Sequence, residues 1–267
     1  VLAHTNAVLR PTTSVALNAP VEIRQGTFSI INSLTLTLNR PLANLGALRW
    51  LSRNQAFDLG GSGRVENFGV WEVFVDPSCP GCGTESLVRV PVNVPVGGKF
   101  LVSTGFVNFT QPSSLTVAGE LEVQSGGRLR LDGSSPGRDV TLLAGSVLSG
   151  TGTIQLEGSC RLVVAGDLPG GLRFDLIGSS QLLVSGAISP ATTINMSGSP
   201  TLSLPGTYIV GSSRSAAGQI ISPAVVVATN ATLTASGVSF PGLVTVEDGA
   251  ALRLTGGTVS FGTNVLV

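Results

Sequence analysis

Apolar and polar residues alternate along most of the chain, and between residues 153 and 206 the alternation repeats without gaps. The segments 153–166, 173–186 and 193–206 align with one another at a constant offset. Each segment has apolar residues at alternate positions on both sides of a Gly-Ser step. The four apolar columns are Ile154, Phe174, Ile194; Leu156, Leu176, Met196; Leu162, Leu182, Leu202; and Val164, Val184, Leu204. A period of two is typical of strands that bury one face, so the repeat predicts short strands joined by tight turns.

A further apolar column lies before each pair of strands and predicts a third short strand in every repeat. Its members are Leu148, Leu168, Ile188 and Tyr208. A repeat of this length that contains only strands is too short for a four-stranded propeller blade, and it fits one coil of a β-solenoid. The predicted fold class is therefore all-β, a single-stranded parallel β-helix (β-solenoid) with three short strands per ~20-residue coil.

The regularity of the pattern divides the chain into two predicted regions. Residues 111–267 are predicted to form the regular β-solenoid, because 225–240 also aligns with 244–259 at a similar offset. Residues 1–110 alternate in the same way but with longer corners, which predicts an irregular β region of wider early solenoid coils. A loop or a small separate sheet is expected near 69–105, and continuation of the solenoid through that stretch is the alternative.

Two prolines interrupt an alternating run of valines from Val88 to Val96. Pro91 and Pro95 fall on the opposite parity from the valines. Proline has no backbone N–H to donate to a sheet. The run is therefore predicted to be an edge strand or a bulged excursion, not an interior strand.

Charge and hydropathy exclude two classes of partner. The chain has 15 Lys plus Arg and 15 Asp plus Glu, so its net charge is zero, and only 11% of its residues are charged. Nucleic-acid binding depends on an excess of positive charge, and we expect no nucleic-acid partner. The sequence contains no apolar run long enough to cross a bilayer, so no membrane-spanning helix is expected.

Both ends of the sequence carry strand-like patterns without a capping element. The chain begins at Val1 with no signal-peptide pattern, which predicts a processed product or a segment of a larger protein. Residues 258–267 have the alternating pattern expected of one more coil. An uncapped solenoid exposes an apolar face and unpaired backbone groups at its ends. We therefore expect the ends to be covered by another copy of the chain or by further coils.

The cysteines form one short motif, Cys79-Pro-Gly-Cys82, and a separate Cys160. A zinc site needs four ligands, and His4 is the only histidine, so no metal is expected. The favoured interpretation is a disulfide between Cys79 and Cys82, with Cys160 left as a thiol, placed inside the solenoid, or paired elsewhere. Cys160 aligns with Ser180 and Pro200 at a corner of the repeat, which predicts a position near the surface.

Three Asn-x-Ser/Thr sequences are candidate N-glycosylation sites: Asn108, Asn195 and Asn230. Asn195 lies between two inward positions and is predicted to point outward, whereas Asn230 is predicted to lie in a corner. An attached glycan is the one carbohydrate partner expected. It would help to keep a surface with few charges soluble.

Enzymatic activity is not expected. The sequence predicts no catalytic site, no cofactor and no metal. Polysaccharide lyases and hydrolases built on β-helices rely on clustered acids with His, Arg or Lys, whereas this chain has one His, one Lys and no Asp-Asp pair. Asp167 and Asp175 are the best acidic candidates, and Asp175 shares an outward column with Gln155 and Asn195. Aromatic residues are sparse and scattered, and Trp50 is expected in the core instead of on a carbohydrate-binding face.

With Leu-x-Val-x-Gly repeats separated by Gly-Ser corners, residues 113–267 resemble the β-solenoid stalks of secreted surface proteins. Autotransporter passengers, haemagglutinin-type adhesins and eukaryotic surface glycoproteins contain such stalks. The resemblance implies an extracellular or cell-surface, non-catalytic structural protein. We expect a subunit or segment of a surface filament that assembles end to end. The alternatives are a stalk or ligand-binding segment of a larger adhesin and, second, a carbohydrate-active β-helix enzyme.

Overall fold

The structure of the chain is a computed structural model. It describes residues 2–4, 8–9, 14–31, 35–52, 58–75, 85–133, 139–189, 191–198, 200–203, 208–210, 214–221 and 224–267. Every regular element within these ranges is a β-strand, and none of them is a helix. The chain is therefore all-β, as the alternating pattern predicts.

The strands are short, and most have three to six residues. The first seventeen are β1 (Leu2–His4), β2 (Val8–Leu9), β3 (Val15–Leu17), β4 (Val21–Gln25), β5 (Thr27–Ile31), β6 (Thr35–Leu38), β7 (Leu42–Asn44), β8 (Ala47–Ser52), β9 (Asp58–Gly60), β10 (Val65–Asn67), β11 (Val70–Val75), β12 (Glu85–Val88), β13 (Val92–Val94), β14 (Lys99–Phe109), β15 (Leu115–Val117), β16 (Glu120–Val123) and β17 (Gly127–Gly133). The remaining strands are β18 (Asp139–Leu142), β19 (Val147–Gly150), β20 (Thr153–Gly158), β21 (Arg161–Val164), β22 (Arg173–Gly178), β23 (Gln181–Val184), β24 (Thr193–Gly198), β25 (Thr201–Ser203), β26 (Tyr208–Val210), β27 (Arg214–Ile221), β28 (Ala224–Val227), β29 (Thr232–Phe240), β30 (Leu243–Val246), β31 (Ala251–Leu254), β32 (Ser260–Phe261) and β33 (Val265–Leu266).

The chain forms two compact units, which we call unit 1 and unit 2. Unit 1 comprises Val1–Asp132 and Gly145–Thr153, and unit 2 comprises Gly133–Ala144 and Ile154–Val267. In both units the strands pair in parallel with the equivalent strands of the next coil, so each unit is a parallel β-solenoid. The predicted fold class is confirmed.

Unit 1 has three strands per coil, which form three parallel sheets. The first sheet has the order β1, β4, β7, β10, β13, β15. The second has the order β2, β5, β8, β11, β14, β16, β19, and the third has the order β3, β6, β9, β12, β14, β17. The long strand β14 belongs to two sheets, because its first part pairs with β11 and its last part with β12.

Unit 2 contains the regular coils that the gap-free repeat predicts. One sheet has the order β18, β21, β23, β25, β27, β29, β31, and Arg161 pairs with Gln181, which pairs with Thr201. A second sheet contains β20, β22 and β24. The predicted third column is present as a single parallel bridge between Leu168 and Ile188. Further along the chain this position is occupied by β26, β28, β30 and β33, which pair in that order.

The longest turn of unit 1 holds more residues than the regular turns of unit 2, and a run of aromatic rings lies in the core of unit 1. One turn of unit 1 runs from Val65 to its partner Val92, whereas one turn of unit 2 runs only from Gln181 to Thr201. Four rings contact one another in sequence: Trp50 stacks on Trp71 with 5.3 Å between ring centroids, Trp71 meets Phe100 at a tilted angle at 4.9 Å, and Phe100 meets Phe109 edge to face at 5.8 Å. All four are buried, which confirms that Trp50 belongs to the core.

The prediction that the valine run near Pro91 is an edge or bulged strand is wrong. Strand β13 pairs with β10 on one side and with β15 on the other. Pro91 and Pro95 lie immediately before and after this short strand, so the ladder does not need their missing N–H groups. The described strands of residues 69–105 all join the three sheets of unit 1, and they form no separate small sheet.

The prediction that Cys160 lies near the surface is also wrong. Its side chain is fully buried, as is that of Ser180 one coil later. Cys160 has the same parity as Leu162 and Val164 on the strand that follows, and this parity turns all three side chains inward. The alternation is therefore a better guide to this position than the turn-like residues beside it.

Candidate functional site

The described residues hold neither the predicted disulfide nor a metal centre. Cys79 and Cys82 lie outside the described residues. No group of three or more His, Cys, Asp or Glu side chains within the described ranges is arranged to hold a metal ion. Among the described residues, the outward polar side chains and the exposed apolar surfaces are the remaining candidates.

The three candidate glycosylation sites differ in exposure. Asn108 lies on β14 and is only 3% exposed, and its Nδ2 donates a hydrogen bond to Oε1 of Glu85. A glycan attached to Asn108 would be incompatible with this burial. Asn195 is half-buried on β24, and Asn230 is exposed in the turn between β28 and β29 with a φ of 64°. Asn230 is the acceptor that the fold presents best to solvent.

The two acidic candidates, Asp175 and Asp167, both accept hydrogen bonds within the solenoid. Oδ1 of Asp175 accepts bonds from Nε of Arg173 and from Nδ2 of Asn195, both at 2.8 Å. Oδ1 of Asp167 accepts a bond of 2.7 Å from the backbone N–H of Ala187 in the next coil. The bonds from Asn195 and Ala187 join adjacent coils, whereas the bond from Arg173 lies within one strand.

Lys99, the one lysine of the chain, bridges adjacent coils of unit 1. Its Nζ lies 3.0 Å from Oε1 of Glu120 and 2.5 Å from Oε2 of Glu122. Burial alone would lower the pKa of Lys99, but the hydrogen bonds and charges of the two glutamates outweigh it and raise the pKa above 10.5. The hydrogen bond from Lys99, supported by one from Gln124, lowers the pKa of Glu122 below its ordinary value.

A row of exposed apolar side chains follows one corner of unit 1, and we call it the corner ridge. It consists of Leu45, Phe68, Val70 and Val96. These residues lie at the joins between β7 and β8, between β10 and β11, and between β13 and β14, so they occupy the same corner of three successive coils. Val96 is 82% exposed. Scattered exposed apolar residues are ordinary, but a row of them at one corner is characteristic of an interaction surface.

Buried polar groups and close backbone contacts fix the shape of this corner. Asn44 and Asn67, each directly before a ridge residue, are fully buried, and Nδ2 of Asn44 donates to Oδ1 of Asn67 at 2.7 Å. Nδ2 of Asn67 donates to the carbonyl of Lys99 at 2.8 Å. A Cβ atom on Gly69 would lie 2.0 Å from the carbonyl oxygen of Gly46, so adjacent coils touch at backbone level here. The ridge therefore stands on a rigid corner.

The last coil of unit 2 forms a second exposed apolar surface, which we call the terminal face. It is formed by Leu254, Val265, Leu266 and Val267. Leu254 pairs with Ala235, and Val265 pairs with Val244. Ala235 and Val244 are fully buried, whereas Leu254 is 53% exposed and Val265 is 37% exposed. The apolar columns of the solenoid interior thus become accessible at this coil.

The corner ridge was not among the sequence-based predictions. Charged residues, cysteines and aromatic rows are the usual signs of chemistry, and the ridge consists instead of single apolar residues in corners. A signal is nevertheless present, because Leu45, Phe68 and Val96 each come directly before a glycine. This signal is not sufficient by itself, because Leu59 also comes directly before a glycine and is buried.

Comparison of the chain with known protein families, with curated proteins and with solved structures gave no match. Among the described residues there is no helix of the length and hydropathy needed to cross a membrane. The class of protein is thus defined by the fold itself, a parallel β-solenoid with an apolar corner ridge in unit 1 and an apolar terminal face in unit 2.

Proposed function

We propose that this chain is a non-catalytic extracellular structural protein, a subunit or segment of a surface filament that assembles end to end. The terminal face is the observation that carries the proposal. Strands β31, β32 and β33 each have a partner on one side only among the described strands. Their free edges expose backbone donors and acceptors next to the apolar side chains of the terminal face. A further coil stacked on this surface would satisfy both.

The first coil has the matching features. Strands β1, β2 and β3 also pair on one side only among the described strands. The first turn runs from Leu2 to its partner Glu22, and the last turn runs from Val244 to its partner Val265, so the two end coils are almost equal in length. Two coils with similar numbers of residues are compatible for stacking. The turn from Val65 to Val92 inside unit 1 is longer than either end coil. A first coil of one copy can therefore extend the parallel sheets of another.

The acidic residues support a structural role over a catalytic one. Asp175 and Asp167 both accept hydrogen bonds that join adjacent coils. We therefore place the carbohydrate-active enzyme second to the structural role. The extracellular location rests on the resemblance to surface-protein stalks and on the exposed acceptor Asn230.

End-to-end assembly can be tested with one substitution in the terminal face. Leu254→Glu introduces a charge where the proposed contact removes water, and the exposure of Leu254 means that folding should be unaffected. The wild-type chain is expected to form oligomers whose size increases with concentration in analytical ultracentrifugation. The Leu254→Glu variant is expected to remain monomeric, because an unpaired buried charge is strongly unfavourable.

Leu243→Glu is the matched control, since Leu243 is also exposed but points outward from β30 and not along the stacking direction. This variant should assemble as the wild type does. A wild-type chain that stays monomeric at all concentrations would contradict the proposal and favour the alternative, a stalk or ligand-binding segment of a larger adhesin. Equal loss of assembly in both variants would show that the terminal face is not the contact.

A further inference from the structure

We propose that the corner ridge is a lateral contact site that binds the corner ridge of a second copy of this chain, so that end-to-end filaments associate side by side. The inference builds on the proposed function, but it concerns a different surface. Leu45, Phe68, Val70 and Val96 provide only apolar groups to a partner. Removal of such groups from water is favourable and does not require a specific polar partner.

The electrostatics of the surroundings favour a neutral partner. Charged residues near the ridge are paired with each other: Nε of Arg49 lies 2.9 Å from Oε2 of Glu72, and Lys99 is paired with two glutamates. These pairs leave little charge of either sign to attract a charged ligand or an anionic membrane surface. The chain as a whole has zero net charge, so two copies do not repel each other. A second ridge has the required chemistry, and a two-fold axis would place the two ridges against each other.

The corner is also suited to docking because it is already ordered. The hydrogen bonds of Asn44 and Asn67 hold the backbone directly beneath Leu45 and Phe68. Gly98 is similarly constrained, since a Cβ atom there would lie 2.0 Å from the carbonyl oxygen of Asn67. A rigid surface loses little conformational entropy on binding.

The size of the ridge determines how it would act. Four partly exposed side chains provide an apolar patch of roughly 400 Å². Two such patches together bury about 800 Å², less than the roughly 1,200 Å² at which stable pairwise interfaces begin. One ridge contact is therefore weak. In a filament each copy contributes a ridge, and many weak contacts act together through avidity.

The experiment compares assembly of the wild-type chain with a Phe68→Glu/Val96→Glu double variant. Both positions are exposed corner residues outside the core, so the fold should be retained. In electron micrographs the wild-type chain is expected to form filaments associated in pairs or bundles. The double variant is expected to form filaments of normal length that remain single. Ser62→Glu/Ser125→Glu is the matched control, because both serines are exposed in turns of unit 1 and receive the same added charge.

A second measurement does not depend on filament formation. A Val96→Cys variant is treated with a short bifunctional maleimide and compared with Ser125→Cys in the same chain. We expect a several-fold higher yield of covalent dimers for Val96→Cys. If no filaments form but this excess persists, end-to-end assembly fails and the ridge contact stands. Equal yields from the two cysteines, or bundles that persist in the Phe68→Glu/Val96→Glu variant, would overturn the ridge contact.

Discussion

The coils of unit 1 and the regular coils of unit 2 share a parallel stacked topology, but a run of four contacting aromatic rings lies in the core of unit 1. In unit 2 the inward positions of successive coils are occupied by aliphatic columns such as Leu162, Leu182 and Leu202, all buried. In unit 1 the run of rings from Trp50 to Phe109 occupies inward positions. Interiors are packed at high density, so each core depends on the side-chain volume that its inward positions supply.

The largest expected effect comes from removal of a central ring of this run. Trp71→Ala is expected to lower the free energy of unfolding by about 3–5 kcal/mol, at the upper end for a large-to-small core substitution. Trp71 contacts rings on both sides, so its loss leaves a cavity in the core of unit 1. Urea denaturation followed by circular dichroism measures the change.

Trp71→Phe and Leu182→Ala provide the comparison. Trp71→Phe keeps an aromatic ring and should recover more than half of the loss. Leu182→Ala removes a smaller side chain from the core of unit 2 and should be less destabilising than Trp71→Ala. If Leu182→Ala were the more destabilising of the two, the idea that unit 1 depends on aromatic volume would be wrong.

Corner glycines give a second, intermediate contrast between the units. Gly98→Ala is expected to destabilise by about 2–3 kcal/mol, because the new Cβ would clash with the backbone of Asn67 in the preceding coil. Gly166 occupies a corner of unit 2 where a Cβ atom would meet nothing within 4 Å. Gly166→Ala should therefore change stability by less than about 0.5 kcal/mol. Thermal unfolding of the two variants beside the wild type measures both effects, and similar values would contradict the difference in corner packing.

The smallest expected effect concerns the ion pairs that bridge coils of unit 1 at Lys99. Because the pKa of Glu122 is lowered in the folded chain, its contribution to stability is complete above pH 4.5 and is lost as the pH falls through the folded pKa. Lys99→Met should remove this part of the acid dependence, by less than about 1 kcal/mol. Lys99→Arg keeps the positive charge and should retain it. Urea denaturation at neutral and at strongly acidic pH measures the difference, and an unchanged pH dependence in Lys99→Met would refute the assignment.

The alternating pattern is sufficient to predict the fold class and the inward columns. In a strand with one buried face, successive side chains point alternately to the core and to solvent, so apolar residues identify the inward positions. Local residue chemistry is less reliable than this periodicity. The turn-like neighbours of Cys160 predict a surface position that is wrong, and the prolines around Val92–Val94 predict an edge strand that is also wrong. For Cys160 the parity of the alternation determines the outcome, whereas for Val92–Val94 it is pairing with the adjacent coils, which the local sequence does not encode.

The candidate surfaces are predictable to different degrees for a similar reason. The apolar character of the terminal face is predictable from the alternation, because Leu254 continues the inward column of Ala235. The corner ridge depends on which corners of different coils coincide. The coils of unit 1 vary in length, so the alignment of Leu45, Phe68 and Val96 becomes visible only once the pairing of β7, β10 and β13 is known.

The short separation between paired strands has a consequence for how quickly this chain can fold. Most β-sandwiches and barrels pair strands that are distant in sequence, and they fold slowly. Here each coil pairs with its immediate predecessor, as Gln181 does with Arg161, so the separation between paired strands is close to one coil throughout. Each coil can form on the preceding one as soon as it is synthesised. An all-β protein of this design is therefore expected to fold progressively, coil upon coil, from an early nucleus.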